Sequence, residues 1–297
     1  MAKFDMYAEV TARIIKMLEA GEIPWEKPWV GSNGAWSRED GKYYCLINQL
    51  LLPPGEYATR ERIFKDGGKI LKGSKQKQVW SFYFKRVEET DETTGEIEVK
   101  FLPRQKYIGV FNVATDTDLE PKYHTETVET PAEPLTVLEA VKNDYLERSG
   151  VLYNETYSSS AYYSPAADQV TVPSKAQFEE TAEYYSTVFH ELAHSTGHES
   201  RLKRFDCSLG VAAFGSEDYS REELVAELTS CAVLSYMGVS TRSSFRNNAA
   251  YIGAWVAKLK EDNKAIIRAA AKAERAYNLI MGIEENFDGD SNETTDK

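Results

Sequence analysis

Residues 183–204 read EYYSTVFHELAHSTGHESRLKR, and the five at their centre, His190-Glu191-Leu192-Ala193-His194, decide how the second half of the chain is built. Histidines at i and i+4 share a face only on an α-helix, where both can reach one divalent cation while Glu191 stands beside them. The flanking residues agree with a helix. Thr181 is the expected N-cap, Tyr184, Val188 and Leu192 recur on an apolar face, and Gly197 supplies a stop. The spacing therefore predicts a helix over 181–196. A chance HExxH match is expected on the order of 0.01 times in a chain of this His and Glu content.

A site of this kind needs a third ligand, and three residues are candidates. Glu223 and Glu227 lie at i and i+4 in SREELVAEL (220–228), which reads as the start of the next helix; His198 lies four residues beyond His194. Ser220 and Glu223 have capping-box spacing, which gives Glu223 a structural role at a helix N-terminus. Glu227 sits between Ala226 and Leu228 in a segment expected to be packed, where a carboxylate requires a cation or a partner. His198 follows a helix-ending glycine, so its direction is undefined. The order of expectation is Glu227, then Glu223, then His198. Two imidazoles and a carboxylate favour Zn²⁺ over Mg²⁺ or Ca²⁺, one ion per chain. One position stays open to a water whose pKa the ion lowers towards ~7, with Glu191 as base and then as acid to a leaving amine.

Around the motif the second half reads as mainly helical with a short β-sheet. A helix near 135–148 is followed by strands AYYSP (161–165) and QVTVP (169–173), either of which offers an edge to an extended peptide. After the motif helix come helices over 221–237 and within 247–281, the latter expected to break near Asp262-Asn263. The tail 284–297, EENFDGDSNETTDK, is acidic and expected to be disordered.

The first half has a different grammar. Residues 4–20 place Tyr7, Val10, Ile14 and Leu18 at helical spacing before Gly21. An extended PWEKPW (24–29) follows. YYCLINQLLL (43–52) reads equally as a helix or a buried strand. Two β runs, 78–87 and 97–113, flank a polar hairpin loop. Residues 115–134 are polar, proline-bearing and without apolar period, the composition of a linker. The expected organisation is α+β: a small α+β domain over 1–114, a linker over 115–134, the metal-site domain over 135–283, and the tail.

Length and composition fit this division. At 297 residues the chain suffices for two domains of the usual ~100–150. Its 42% hydrophobic content, with 5 Trp, 18 Tyr and 12 Phe, can fill two cores. No apolar run approaches the ~20 residues of a membrane helix, the first residues lack a signal-peptide core, and three scattered cysteines fit a reducing compartment. No membrane partner and a cytoplasmic location are expected.

The net charge of −12 is unevenly spread: residues 1–110 carry 18 basic and 16 acidic side chains. Within 58–86 nine basic residues face two acidic ones, a localised site for a polyanion. Four of the five tryptophans, Trp25, Trp29, Trp36 and Trp80, lie in this half, with Tyr43 and Tyr44. Aromatic faces beside a cationic track are what sequence-tolerant single-strand binding requires. The candidate DNA-contacting set is Trp25, Trp29, Trp36, Tyr43, Tyr44, Asn48, Arg60, Arg62, Lys69, Lys72, Lys75, Lys77 and Trp80.

Several of these stretches resemble the ArdC antirestriction family. The second half is similar to its zincin-like metallopeptidase domain through AYYSPAADQVTVP (161–173), the motif stretch 183–204, YSREELVAEL (219–228) and AYIGAWVAKLKEDNKAIIRAAAKAERA (250–276). The first half resembles its single-stranded-DNA-binding domain through residues 7–29, 43–52 and 67–83. The resemblance implies a plasmid or phage protein that coats incoming single-stranded DNA and protects it from host restriction. It also implies a glutamate third ligand, and favours Glu227. A rival reading is a zinc metalloprotease that cuts a host repressor or restriction protein, with the first domain as recruiter.

Overall fold

The computed structural model describes residues 5–26, 34–90, 97–124, 133–204, 217–239 and 249–283. Contacts divide the chain into two compact units, residues 29–128 and residues 1–28 together with 129–297. This division differs from the boundary expected near 114. The expected tail lies outside the described residues.

The larger unit begins with α1 (Met6–Glu19), whose N-terminal N–H groups are capped by the Asp5 carboxylate. Its apolar stripe of Val10, Ile14 and Leu18 is buried, but against the end of the chain: α1 packs on α8 (Ala249–Glu261) and α9 (Ala265–Met281). Thr11 donates its hydroxyl hydrogen bond to the Asn263 carbonyl at 2.7 Å, and Lys260 pairs with Glu19 at 2.9 Å. Apolar periodicity identifies an amphipathic helix without naming its partner; by its contacts α1 falls with the larger unit. The predicted break at 262–263 is present as the turn between α8 and α9.

The rest of this unit is α5 (Pro134–Ser149), then β5 (Leu152–Thr156), β6 (Tyr162–Ser164), β7 (Gln169–Pro173), α6 (Thr181–Ser195) and α7 (Glu217–Tyr236). The sheet order is β5-β7-β6, with β5 parallel and β6 antiparallel to β7, so β6 is an edge. The polar, exposed β5 (LYNET) gave no alternating signal and was not anticipated. The core is one cluster built on Tyr184, Tyr185, Val188, Phe189 and Leu192 of α6, Ala226, Val233 and Leu234 of α7, and Val170 and Val172 of β7. Each such large apolar side chain contributes roughly 1.5–3 kcal/mol on burial. The Ser230 hydroxyl donates to the Ser186 carbonyl at 2.9 Å, fixing α7 against α6.

The smaller unit is a four-stranded sheet in the order β1-β2-β4-β3, formed by β1 (Ala35–Ser37), β2 (Gly55–Thr59), β3 (Lys77–Thr90) and β4 (Ile97–Asn112). Helices α2 (Leu46–Leu51), α3 (Arg60–Lys65) and α4 (Val113–Asp116) complete it. YYCLINQLLL thus resolves as a helix at 46–51. Residues 115–124, expected to be linker, are packed: Thr117 bridges Ile70, and the main-chain N–H groups of Lys122 and Tyr123 donate to the buried Glu56 carboxylate at 2.9 Å. A carboxylate with unsatisfied acceptors recruits polar backbone that composition alone labels as loop.

Candidate metal centre and nucleic-acid face

Helix α6 carries His190 and His194 one turn apart, their ring centroids separated by 4.9 Å. Helix α7 brings the carboxylates to them. Glu223 lies between the two rings, 3.4 Å from His190 Nε2 and 3.3 Å from His194 Nε2. Among the described residues, His190, His194 and Glu223 are the group whose ligand atoms converge, all within 4.8 Å of one another. Metal–ligand bonds of ~2.0–2.1 Å in a tetrahedron set ligand atoms about 3.3–3.4 Å apart, so the donor set fits a divalent cation in both chemistry and spacing.

Of the three expected candidates, Glu223 is the one whose oxygens face both Nε2 atoms. Glu227 stands on the far side of His190, 3.6 Å from its Nδ1, and accepts a 2.8 Å hydrogen bond from the Tyr251 hydroxyl. Glu222, which sequence reasoning overlooked, stands likewise 3.6 Å from His194 Nδ1 and is clasped by the Arg204 guanidinium at 2.7 Å. Each imidazole thus has Glu223 on one nitrogen and its own carboxylate on the other. The capping-box argument for Glu223 fails because α7 starts at Glu217, which puts Glu223 well inside the helix. His198 is not part of the group: its Nδ1 is 2.8 Å from Ser200 Oγ and 4.0 Å from Asp168.

Electrostatics follow from this crowding. Burial alone would lower the His190 pKa, but the Glu223 and Glu227 carboxylates push it up to about 10; His194 is raised in the same way by Glu222 and Glu223. Glu223, despite burial, is held well below the usual carboxylate range by the two imidazoles. Glu222 is lowered, with His194 and Arg204 outweighing its burial. Glu191, buried next to them, is instead raised by desolvation, its carboxylate receiving the main-chain N–H of Tyr163 in the edge strand β6. Glu191 thus stands beside β6, the antiparallel edge strand of the sheet.

The turn joining β6 to β7 is tied to the same helix. Arg201 donates through Nε to the Ser195 carbonyl at 2.8 Å and through both terminal nitrogens to Asp168. Asp168 takes φ +45°, a left-handed conformation that costs a non-glycine residue ~1–2 kcal/mol, and Tyr163 also donates to it at 2.8 Å.

The smaller unit redistributes the candidate DNA-contacting residues. Trp36 and Trp80 are buried; Trp36 donates to Glu56, and Asn48 holds the Trp80 backbone through two 2.8 Å hydrogen bonds. Tyr44 is half-buried against Tyr57. Arg62 is committed to Glu39 and Asp66, and Lys77 to Asp116. Arg60, Lys69, Lys72 and Lys75 are exposed, as is Tyr43, which stacks 4.6 Å from His124. Trp25 belongs to the larger unit, 0% exposed and edge-on to Trp255 at 6.2 Å. Trp29 lies outside the described residues. Sequence reasoning missed Tyr107, 47% exposed on β4 opposite Trp80 with ring centroids 5.9 Å apart, and Phe64, 55% exposed on α3. The β register that pairs Tyr107 with Trp80 was the available signal.

A HExxH helix, a carboxylate from the following helix and a three-stranded sheet with an antiparallel edge define a zincin-like metallopeptidase domain, here on a chain that also carries a small α+β unit. Residues 141–272 match the zincin-like metallopeptidase family, and residues 4–115 match the N-terminal domain of anti-restriction factor ArdC. The metal-free crystal structure of the antirestriction protein ArdC from plasmid R388 is 33% identical, with a TM-score of 0.69 over 94% of this chain and 98% of that one. Its Mn(II)-bound structure matches with a TM-score of 0.70 at 31% identity, over 96% of this chain and 100% of that one. The chain belongs to the ArdC antirestriction family. It is also 32% identical, over 95% of its length, to the DNA primase TraC of Escherichia coli, of which it spans only 28%. No helix among the described residues is long and apolar enough to cross a membrane.

Proposed function

We propose that the protein is an antirestriction factor that binds single-stranded DNA through the unit of residues 29–128 and holds one divalent cation, Zn²⁺ in this reading, at His190, His194 and Glu223. The observation that carries the DNA reading is the set of exposed cations Arg60, Lys69, Lys72 and Lys75 on the unit that also exposes Tyr43, Phe64 and Tyr107. Cations supply sequence-independent attraction to phosphates, and exposed rings supply stacking to unpaired bases. Full-length similarity to R388 ArdC supports the same role. The test is a fluorescence titration of the full chain with single- and double-stranded oligonucleotides at several salt concentrations. Saturable, salt-weakened binding that favours the single strand is expected; equal or absent binding at low salt overturns the reading.

A second reading, metal-dependent proteolysis of a restriction component or repressor, is favoured by Glu191 beside the convergent donor set and the β6 edge. A bound divalent cation supplies Lewis acidity to a substrate carbonyl and acidifies water. Glu191 takes a proton from the attacking water and returns it to the leaving amine, while the β6 backbone aligns the peptide. Incubating the zinc-loaded chain with the restriction subunits of a host extract, with Glu191→Ala as control, tests this: cleavage lost in the variant supports it, and identical fragment patterns sink it.

A further inference from the structure

We propose that Tyr251 of α8 is a positioning residue of the metal centre, fixing Glu227 so that Glu227 fixes the His190 ring. This rests on reading His190, His194 and Glu223 as the cation site. The Tyr251 hydroxyl donates to Glu227 Oε1 at 2.8 Å, and the other oxygen of the same carboxylate is 3.6 Å from His190 Nδ1. Glu227 is buried, and Cys231 Sγ is 3.9 Å from the same Oε1. A carboxylate is free to swing about its terminal bond, and a directed O–H removes that freedom.

The two histidines are held by different chemistry. Behind His194, Arg204 brings a full positive charge to Glu222. Behind His190 the Tyr251 hydroxyl, a neutral donor, orients Glu227. An anionic carboxylate on the far nitrogen raises the basicity of the ligating nitrogen and fixes the ring's orientation. Tyr251 is itself walled by Trp255, edge-on at 6.3 Å, and Trp255 by the fully buried Trp25. The outer wall of the metal centre therefore includes a residue from the first thirty of the chain, which explains why a tryptophan placed among DNA-binding candidates is found in the larger unit.

The experiment titrates the metal-free full chain with Mn²⁺ by calorimetry and records the visible absorption of its Co²⁺ form. Tyr251→Phe, Glu227→Gln and the double variant are compared with Tyr153→Phe, which removes a hydroxyl bonded to Tyr184 in the same unit. Expected are a roughly 10–100-fold loss of Mn²⁺ affinity in Tyr251→Phe, altered Co²⁺ bands, and no further loss when Tyr251→Phe is added to Glu227→Gln. Tyr153→Phe lowers the melting temperature with affinity and spectrum unchanged. Wild-type affinity and spectrum in Tyr251→Phe, or full additivity in the double variant, overturns the proposal even if the variant is less stable. If Tyr251→Phe does not fold, Trp255→Phe, which loosens the wall without touching the hydroxyl, must reproduce the affinity loss in weaker form; wild-type affinity there overturns it. A wild-type chain that binds no Mn²⁺ overturns the metal-centre reading beneath it.

Discussion

Glu223 and Glu227 are one helical turn apart, and that turn separates the carboxylate facing both Nε2 atoms from the one behind a ring. The sequence offers both, with His198 as a third candidate, and i, i+4 spacing puts the two glutamates on one face. Its order of Glu227 before Glu223 rests on local packing and capping, whereas the geometry depends on where α7 crosses α6. Glu223→Ala is expected to abolish stoichiometric metal retention, whereas Glu227→Gln retains metal with affinity lowered about 10–100-fold; metal content after dialysis and calorimetry check both. A second residue-scale expectation concerns acid. Burial would raise the Asp168 pKa, but its bonds to Arg201 and Tyr163 leave it lowered, and Asp66 is lowered by Arg38 and Arg62. A carboxyl whose folded pKa lies below its unfolded value of ~3.9 stabilises the fold above that pH. The contribution is lost as pH falls through the folded value. Urea midpoints measured from pH 7 to 3 should therefore drop below pH ~4, and Asp168→Asn should start lower and show a shallower acid limb. An unchanged limb would mean that Asp168 does not contribute.

At the scale of elements, strongly periodic segments were legible and their partners were not. The motif helix, the break between α8 and α9, and the β3–β4 hairpin follow from local pattern. Short β1, β2 and the polar β5 carry too few residues for a period, and residues 115–124 are packed by Glu56 rather than by their own composition. Burial misled the aromatic residues most. Tryptophans 36 and 80 fill the small unit's interior, while Tyr107, an unremarked residue in sequence, is exposed above Trp80. Single-strand affinity is therefore expected to fall by about 1–3 kcal/mol in Tyr107→Ala and to be unchanged in Trp25→Phe; competitive titration with labelled oligonucleotide checks the pair. Because α1 packs on α8 and α9, Ile14→Ala should cost about 2–5 kcal/mol, read as a lower denaturant midpoint for metal release.

At the scale of the whole molecule, charge and function have to be reconciled. The chain carries −12 overall, yet nine basic residues fall within 58–86 against two acidic ones. Coulombic screening over ~8–10 Å would confine the proposed attraction for DNA to that local region and leave the acidic remainder little weight at physiological salt. Replacing Lys69, Lys72 and Lys75 together by Glu should therefore lower single-strand affinity uniformly across sequences and flatten its salt dependence. The proposed DNA binding and the alternative metal-dependent proteolysis make opposite predictions for protection of DNA. The most direct measurement is the establishment of an unmodified plasmid, entering as a single strand, in a restricting host that expresses wild-type protein, the triple Lys→Glu variant or Glu191→Ala. DNA-binding antirestriction predicts full protection by Glu191→Ala and loss of protection in the lysine variant. Protection that survives the lysine variant and disappears with Glu191 would contradict it and place the function at the metal centre.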